Sequence, residues 1–250
     1  MDYRLLRHTT AVLHYGGQRL LIDAMLDAPG ARPAIANTAN DRRNPLVPLP
    51  DGWEAWVEEA DAYLPTHLHS DHVDETGRRM MDRGKPLLCQ PEDLERWRAD
   101  GFTNLLPIDP TLEWRGISIT RTEAQHGSGE IARMLAPVSG FVLSALGEPV
   151  LYIAGDTIWY EGVERAIEQH RPEVVIAAAG GASFLTGGPI IMESGDLAQV
   201  RAAAPEATII VNHLDAINHC YETRDLLRAR LAERGIDDLL IPEDGERVAV

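Results

Sequence analysis

The run Thr66-His67-Leu68-His69-Ser70-Asp71-His72 places three imidazoles and a carboxylate between positions 67 and 72. Just before it, Ala60 to Leu64 reads as a short strand that Pro65 ends, so the run begins at a strand mouth where side chains fan out. Neutral imidazole and ionised carboxylate are the usual nitrogen and oxygen ligands of zinc, and they also serve manganese and iron. Along an extended backbone alternate side chains share a face, so His67 and His69 address one ion together. Asp71 and His72 follow where the chain turns towards a helix, a change of direction that aims them at a second ion. Three of the nine histidines fall in this run, which argues against a coincidental polar loop.

Further chemistry-bearing residues recur at strand ends. The chain opens as an antiparallel meander, Tyr3 to His8, Ala11 to Tyr15 and Gln18 to Asp23, with Gly16-Gly17 in the tight turn. Asp23 closes its strand, where a carboxylate can orient ligands from behind or simply cap a turn. Ile117 to Ala124 alternates as a strand and delivers His126 in Gln125-His126-Gly127-Ser128-Gly129. Pro149 to Ala154 delivers Asp156, and Thr208 to Val211 delivers His213 in Asn212-His213-Leu214-Asp215. Helices are expected over 53–59, 75–83, 92–100, 159–169, 193–203 and 223–234, with a buried strand at Val174 to Ala178. Residues 24–51 carry little periodicity and much Pro and Asn; such segments border pockets, and Arg42 and Arg43 there are available to an anionic group.

Composition limits the partners. The 250 residues suffice for one large core, and they are expected to form a single domain over 1–250. A net charge of −16 offers no basic stripe for nucleic acid, and it disfavours an anionic membrane surface. No apolar run approaches a spanning helix of about 20 residues. Met1-Asp2-Tyr3-Arg4 lacks a signal-peptide core, and Cys89 and Cys220 give no disulfide framework, so a cytoplasmic enzyme is expected. Cys89 lies in an apolar run and reads as packing. Trp53 and Trp56 suit either core packing or a homo-oligomer interface.

The order His-x-His-x-Asp-His, lone His, lone Asp, lone His, each after a strand, resembles the metallo-β-lactamase superfamily from the opening hairpin through His213. The resemblance implies an α/β fold, a four-layer αββα sandwich of two mixed sheets with helices outside and a dinuclear site at one edge. It implies His67, His69 and His126 on one ion, Asp71, His72 and His213 on the other, and Asp156 bridging. A carboxylate suits that bridge, because its two oxygens span ions about 3.5 to 4 Å apart. The opening Arg7-His8-Thr9-Thr10 with Asp23, and the tail His213-Leu214-Asp215 to His219-Cys220, are similar to the group containing L-ascorbate-6-phosphate lactonase.

The implied enzyme is a hydrolase of a small-molecule ester, lactone or phosphoester bond that uses a hydroxide bridging two divalent ions, zinc first, manganese or iron as alternatives. Asp71 and His219 are the catalytic candidates. Asp215 can touch substrate or make a structural hydrogen bond, and His8 can support the site from the first hairpin or simply pack, with packing the first expectation. Antibiotic hydrolysis is disfavoured, since periplasmic relatives commonly carry Cys where Asp156 stands. Nuclease relatives need an added domain and basic surfaces, and flavin-linked di-iron relatives need a flavin domain. The competing readings are an iron-dependent oxidoreductase on the same fold and a metal-binding or ligand-binding protein without catalysis.

Overall fold

Alternation along the first strands sets up two cores at once. In β1 (Asp2–Arg7), β2 (Thr10–Tyr15) and β3 (Gln18–Ile22), Leu5, Leu13, Leu20 and Ile22 face one core, while Leu6, Val12 and Leu21 face another. The computed structural model describes residues 1–250, with β1 to β3 antiparallel and Gly16 and Gly17 at φ 57° and 73° in their turn. Then come α1 (Trp53–Glu58), β4 (Ala62–Leu64), α2 (Glu75–Met80), β5 (Leu87–Cys89), α3 (Leu94–Ala99) and β6 (Leu105–Pro107). β3 to β6 run parallel. The second sheet begins with the antiparallel strands β7 (Thr111–Trp114), β8 (Ile117–Glu123), β9 (Ser139–Ala145) and β10 (Leu151–Ile153), with α4 (Gly129–Leu135) between β8 and β9. It continues in parallel through α5 (Glu161–His170), β11 (Val174–Ala178), α6 (Ser194–Ala203) and β12 (Thr208–Asn212). α7 (Arg224–Glu233) and β13 (Arg247–Ala249) follow, and β13 pairs with β1.

The two mixed sheets have orders β13-β1-β2-β3-β4-β5-β6 and β12-β11-β10-β9-β8-β7. Between them Tyr3, Leu5, Leu13, Phe141, Ile153 and Ile176 share one apolar core. A second core forms where Val175, Ala177, Ile209 and Val211 meet α5, α6 and α7. A third forms where Tyr63, Leu87 and Cys89 meet the helices beside the first sheet, and Cys89 is buried there. This is the expected αββα sandwich. Trp53 and Trp56 pack half-buried against that third core, with the Arg4 guanidinium 4.6 Å from the Trp56 ring. No helix is long and apolar enough to cross a membrane.

Several expectations are adjusted. α2 stops at Met80 rather than Arg83, because Met81 turns extended and the Arg83 guanidinium takes the Met81 carbonyl at 2.6 Å. The 92–100 helix is a 3-10 turn, Pro91–Asp93, followed by α3. α4, β6, β7 and β13 are additional elements. The 24–51 segment has no helix or named strand, as expected. It is held by the buried Arg7, which donates to the carbonyls of Met25 (2.6 Å), Asp27 (3.0 Å) and Val47 (3.0 Å). Arg43 donates to the carbonyls of Gly30 (2.7 Å) and Ala31 (3.0 Å), so it ties this segment to itself.

Candidate metal centre

Strand direction gathers the site. β1, β3 and β4 run one way in the first sheet, and β8, β10 and β12 run together in the second. Their C-terminal ends therefore deliver His8, Asp23, His67, His126, Asp156 and His213 to one edge. Three of these residues, His8, Asp23 and His213, have left-handed backbones at φ 61°, 52° and 66°. For L residues that conformation costs about 1 to 2 kcal/mol, and such strain concentrates at functional sites.

The side chains form three overlapping groups whose ligand atoms lie within 4.8 Å of one another: His67, His69 and His126; His67, His72 and Asp156; His8, Asp71, His72 and His213. Asp156 stands between them. Its Oδ2 lies 3.2 Å from His72 Nε2, 3.4 Å from His126 Nε2 and 3.5 Å from His213 Nε2. Asp71 Oδ2 lies 3.8 Å from both His213 Nε2 and His8 Nε2. All are buried except His69, which is half-buried and opens the site.

The far sides of four rings, those of His67, His72, His126 and His213, have partners. His72 Nδ1 donates to Asp23 Oδ2 at 2.8 Å, and His126 Nδ1 donates to the Ile190 carbonyl at 2.7 Å. Thr66 donates to Asp23 Oδ1 through its amide (2.7 Å) and its hydroxyl (3.0 Å), and the same hydroxyl lies 3.2 Å from His67 Nδ1. His213 Nδ1 meets Cys220 Sγ at 3.5 Å. The loops carrying His126 and Asp156 are laced together: the Ile158 amide donates to the Gln125 carbonyl at 2.9 Å, and the Gln125 amide to Thr157 Oγ1 at 3.0 Å. The inward-facing atoms, by contrast, are buried and unpartnered: Nε2 of His67, His72 and His213, Oδ1 of Asp156 and both nitrogens of His8. Buried polar atoms normally find partners. A converging set of orphaned imidazole nitrogens and carboxylate oxygens fits divalent cations.

Charge is arranged accordingly. Burial opposes the charge on Asp156, but His72, His213 and His126 around it hold its carboxyl well below the usual carboxylate range. Burial likewise opposes the charge on Asp71, which His8 and His72 keep well below that range. Burial also disfavours a charged His213, yet Asp156 overrides it and raises the ring to about 10. In the metal-free protein, protons on His72 and His213 stand in for cationic charge.

A family model described as a beta-lactamase superfamily domain matches residues 18–213, a span that contains every residue of the three ligand groups except His8. The chain belongs to the beta-lactamase superfamily. Among superfamily relatives, it is 35% identical over 250 residues to UPF0173 protein YddR of Bacillus subtilis (strain 168), covering 98% of each chain. It is also 35% identical to isothiocyanate hydrolase from Delia radicum gut bacteria, with TM-score 0.95 over 100% of this chain and 99% of that one. A protein described as a possible metal-dependent hydrolase, from Veillonella parvula DSM 2008, is 30% identical with TM-score 0.96, over 100% and 99% of the two chains.

All seven expected ligand candidates of this superfamily member, His67, His69, Asp71, His72, His126, Asp156 and His213, meet at the one edge. Asp23 takes the orienting position rather than a simple cap. Asp215 is engaged elsewhere, its Oδ2 accepting from Arg224 Nη1 at 2.9 Å, which is the structural alternative. His219 is 3% exposed with Nδ1 unpartnered, and its ring lies 6.4 Å from that of His213. Burial lowers it to about 4, so it rests as a neutral imidazole. Thr66, Ile190 and Cys220, which fix ring orientations, were not legible as site residues in the sequence. His8, expected to pack, lies inside the cluster, and its place at the end of β1 was the available signal.

Proposed function

We propose that this metal-dependent hydrolase holds two divalent ions and adds water to an electrophilic carbon of a small apolar molecule. An organic isothiocyanate is the first candidate, and lactones and carboxylic esters form the related class. The position of Asp156 Oδ2, within 3.5 Å of imidazoles belonging to both groups, carries the two-ion reading. His67, His69 and His126 would hold one ion and Asp71, His72 and His213 the other, with Asp156 shared. Bound there, the ions supply Lewis acidity and a more acidic water.

The chain's own groups supply the rest. Asp23, Ile190 and Thr66 keep His72, His126 and His67 aimed inward, and Asp71, held ionised, is an acceptor beside the reacting centre. Neutral His219 accepts a proton from water and returns it to the substrate nitrogen. Water adds oxygen to the central carbon and hydrogen to nitrogen of R–N=C=S. The resulting thiocarbamic acid passes water's second proton to nitrogen as its C–N bond breaks, giving amine and carbonyl sulfide.

An apolar substituent has a place to rest. Ile131, Leu135 and Phe184 pack half-buried on Ile190 and Ile191, next to the carbonyl that fixes His126, while Met134 and Leu185 stay exposed nearby in sequence. Likeness to isothiocyanate hydrolase over the whole chain favours the heterocumulene over a sugar-phosphate lactone. The test is a panel of aryl isothiocyanate, lactone and ester given to zinc- and manganese-reconstituted protein. A kcat/KM for the isothiocyanate at least tenfold above the others is expected. A fully reconstituted protein that leaves the whole panel intact contradicts the proposal.

A further inference from the structure

We infer that His8 is an additional protein ligand of the ion held by Asp71, His72 and His213, an inference that rests on the two-ion reading above. The ring is fully buried and both of its nitrogens lack a partner, a combination folded chains rarely leave unresolved. The nearest acidic oxygen, Asp71 Oδ2, is 3.8 Å from Nε2, too far for a hydrogen bond. It is, however, the separation expected of two donors on one ion, since ligand bonds of about 2.0 to 2.2 Å set neighbouring donor atoms roughly 3 to 4 Å apart. His213 Nε2 stands at the same 3.8 Å from that oxygen.

Ring placement agrees. The His8 and His213 centroids are 3.7 Å apart, comparable with 4.4 Å for His67 and His69, the pair assigned to one ion. The backbone builds this pairing. His8 turns left-handed at φ 61° between β1 and β2, and its carbonyl accepts the His213 amide at 2.9 Å. A packing histidine needs neither the backbone turn nor four ligand atoms gathered within 4.8 Å.

The test uses the full chain stripped of metal and titrated with zinc or cobalt(II), read by elemental mass spectrometry after desalting and by the cobalt visible spectrum. His8→Asn keeps a residue that accepts a left-handed backbone and withdraws the ring. His8→Gln is the second variant. Metal-free thermal unfolding of both should match that of the wild type. Wild type is expected to bind two equivalents. Each variant should keep the first ion at wild-type affinity, bind the second about 100-fold more weakly or worse, and change the intensity of the second-site cobalt bands. Variants with unchanged second-ion affinity and an unchanged spectrum would overturn the ligand role while leaving the two-ion reading intact. Unchanged spectra with affinity weakened tenfold or less would also overturn it, leaving His8 as a neighbour that orients Asp71. A wild type that takes up only one ion would overturn both readings.

Discussion

The Asp23 carboxylate accepts a hydrogen bond from His72 Nδ1 at 2.8 Å, joining the end of β3 to the loop after β4 and leaving His72 Nε2 aimed at Asp156. Because the same carboxylate also accepts the Thr66 amide and hydroxyl, one side chain sets the tautomer of one ligand candidate and the backbone entry to another, His67. Asp23 sits at φ 52°, so asparagine is the substitution that preserves its backbone. Asp23→Asn should weaken metal binding by about 10- to 100-fold, measured by competition with a chromophoric chelator, with little change in metal-free stability. Wild-type affinity in this variant would remove Asp23 from the site.

Metal uptake should release protons. Burial disfavours a charged His213, but Asp156 raises it from 6.5 to about 10, so below pH 10 an incoming ion displaces that proton. Zinc affinity should climb as pH rises from 6 towards 9, by about tenfold per unit for each proton displaced. Calorimetry in buffers of different ionisation enthalpy counts those protons directly. In the metal-free protein the sign reverses. A ring whose folded value lies above its unfolded one contributes stability fully present below about 6.5 and lost as pH rises through about 10.

Gly155 precedes Asp156 at φ 69°, and a Cβ there would stand 2.3 Å from the Ser139 carbonyl oxygen. Gly155→Ala should cost about 2 kcal/mol or more, a fall of roughly 4 to 8 °C in Tm for a chain of this size. It should also weaken metal retention by moving Asp156. Calorimetric unfolding and metal content after dialysis read both effects. A variant as stable and as metal-rich as wild type would show that the turn is not under constraint.

How much of this was visible beforehand depended on range. The His67 to His72 run, the three lone residues and the β1 to β3 meander are written in local pattern, and their strands fall within about two residues of expectation. β6 and β13 are not local: β6 is a three-residue edge strand ending in Pro107, and β13 exists because β1 offers it a partner across the length of the chain. α4 spans seven residues and buries none of them fully, so the short stripe of Ile131, Met134 and Leu135 is too brief to announce a helix. His8 reads first as packing in the sequence because its apolar-rich strand context suits a packing residue. Only the left-handed turn and the carbonyl it offers His213 reveal its place.

His219→Ala should separate catalysis from metal binding. The ring is neutral and buried near His213 yet belongs to none of the ligand groups. Turnover should fall by about 10²-fold or more while both ions are retained. Loss of an ion together with activity would move His219 into the metal shell.

The most direct measurement is metal stoichiometry against hydrolysis on one preparation: chelator-stripped protein, reconstituted stepwise with zinc or manganese, assayed at each step on an aryl isothiocyanate and a lactone. A two-ion hydrolase predicts activity that is absent in stripped protein, rises with added metal and saturates near two equivalents. It also predicts that Asp71→Ala lowers saturated activity by orders of magnitude. Saturation at one equivalent, or full activity in Asp71→Ala, would contradict it.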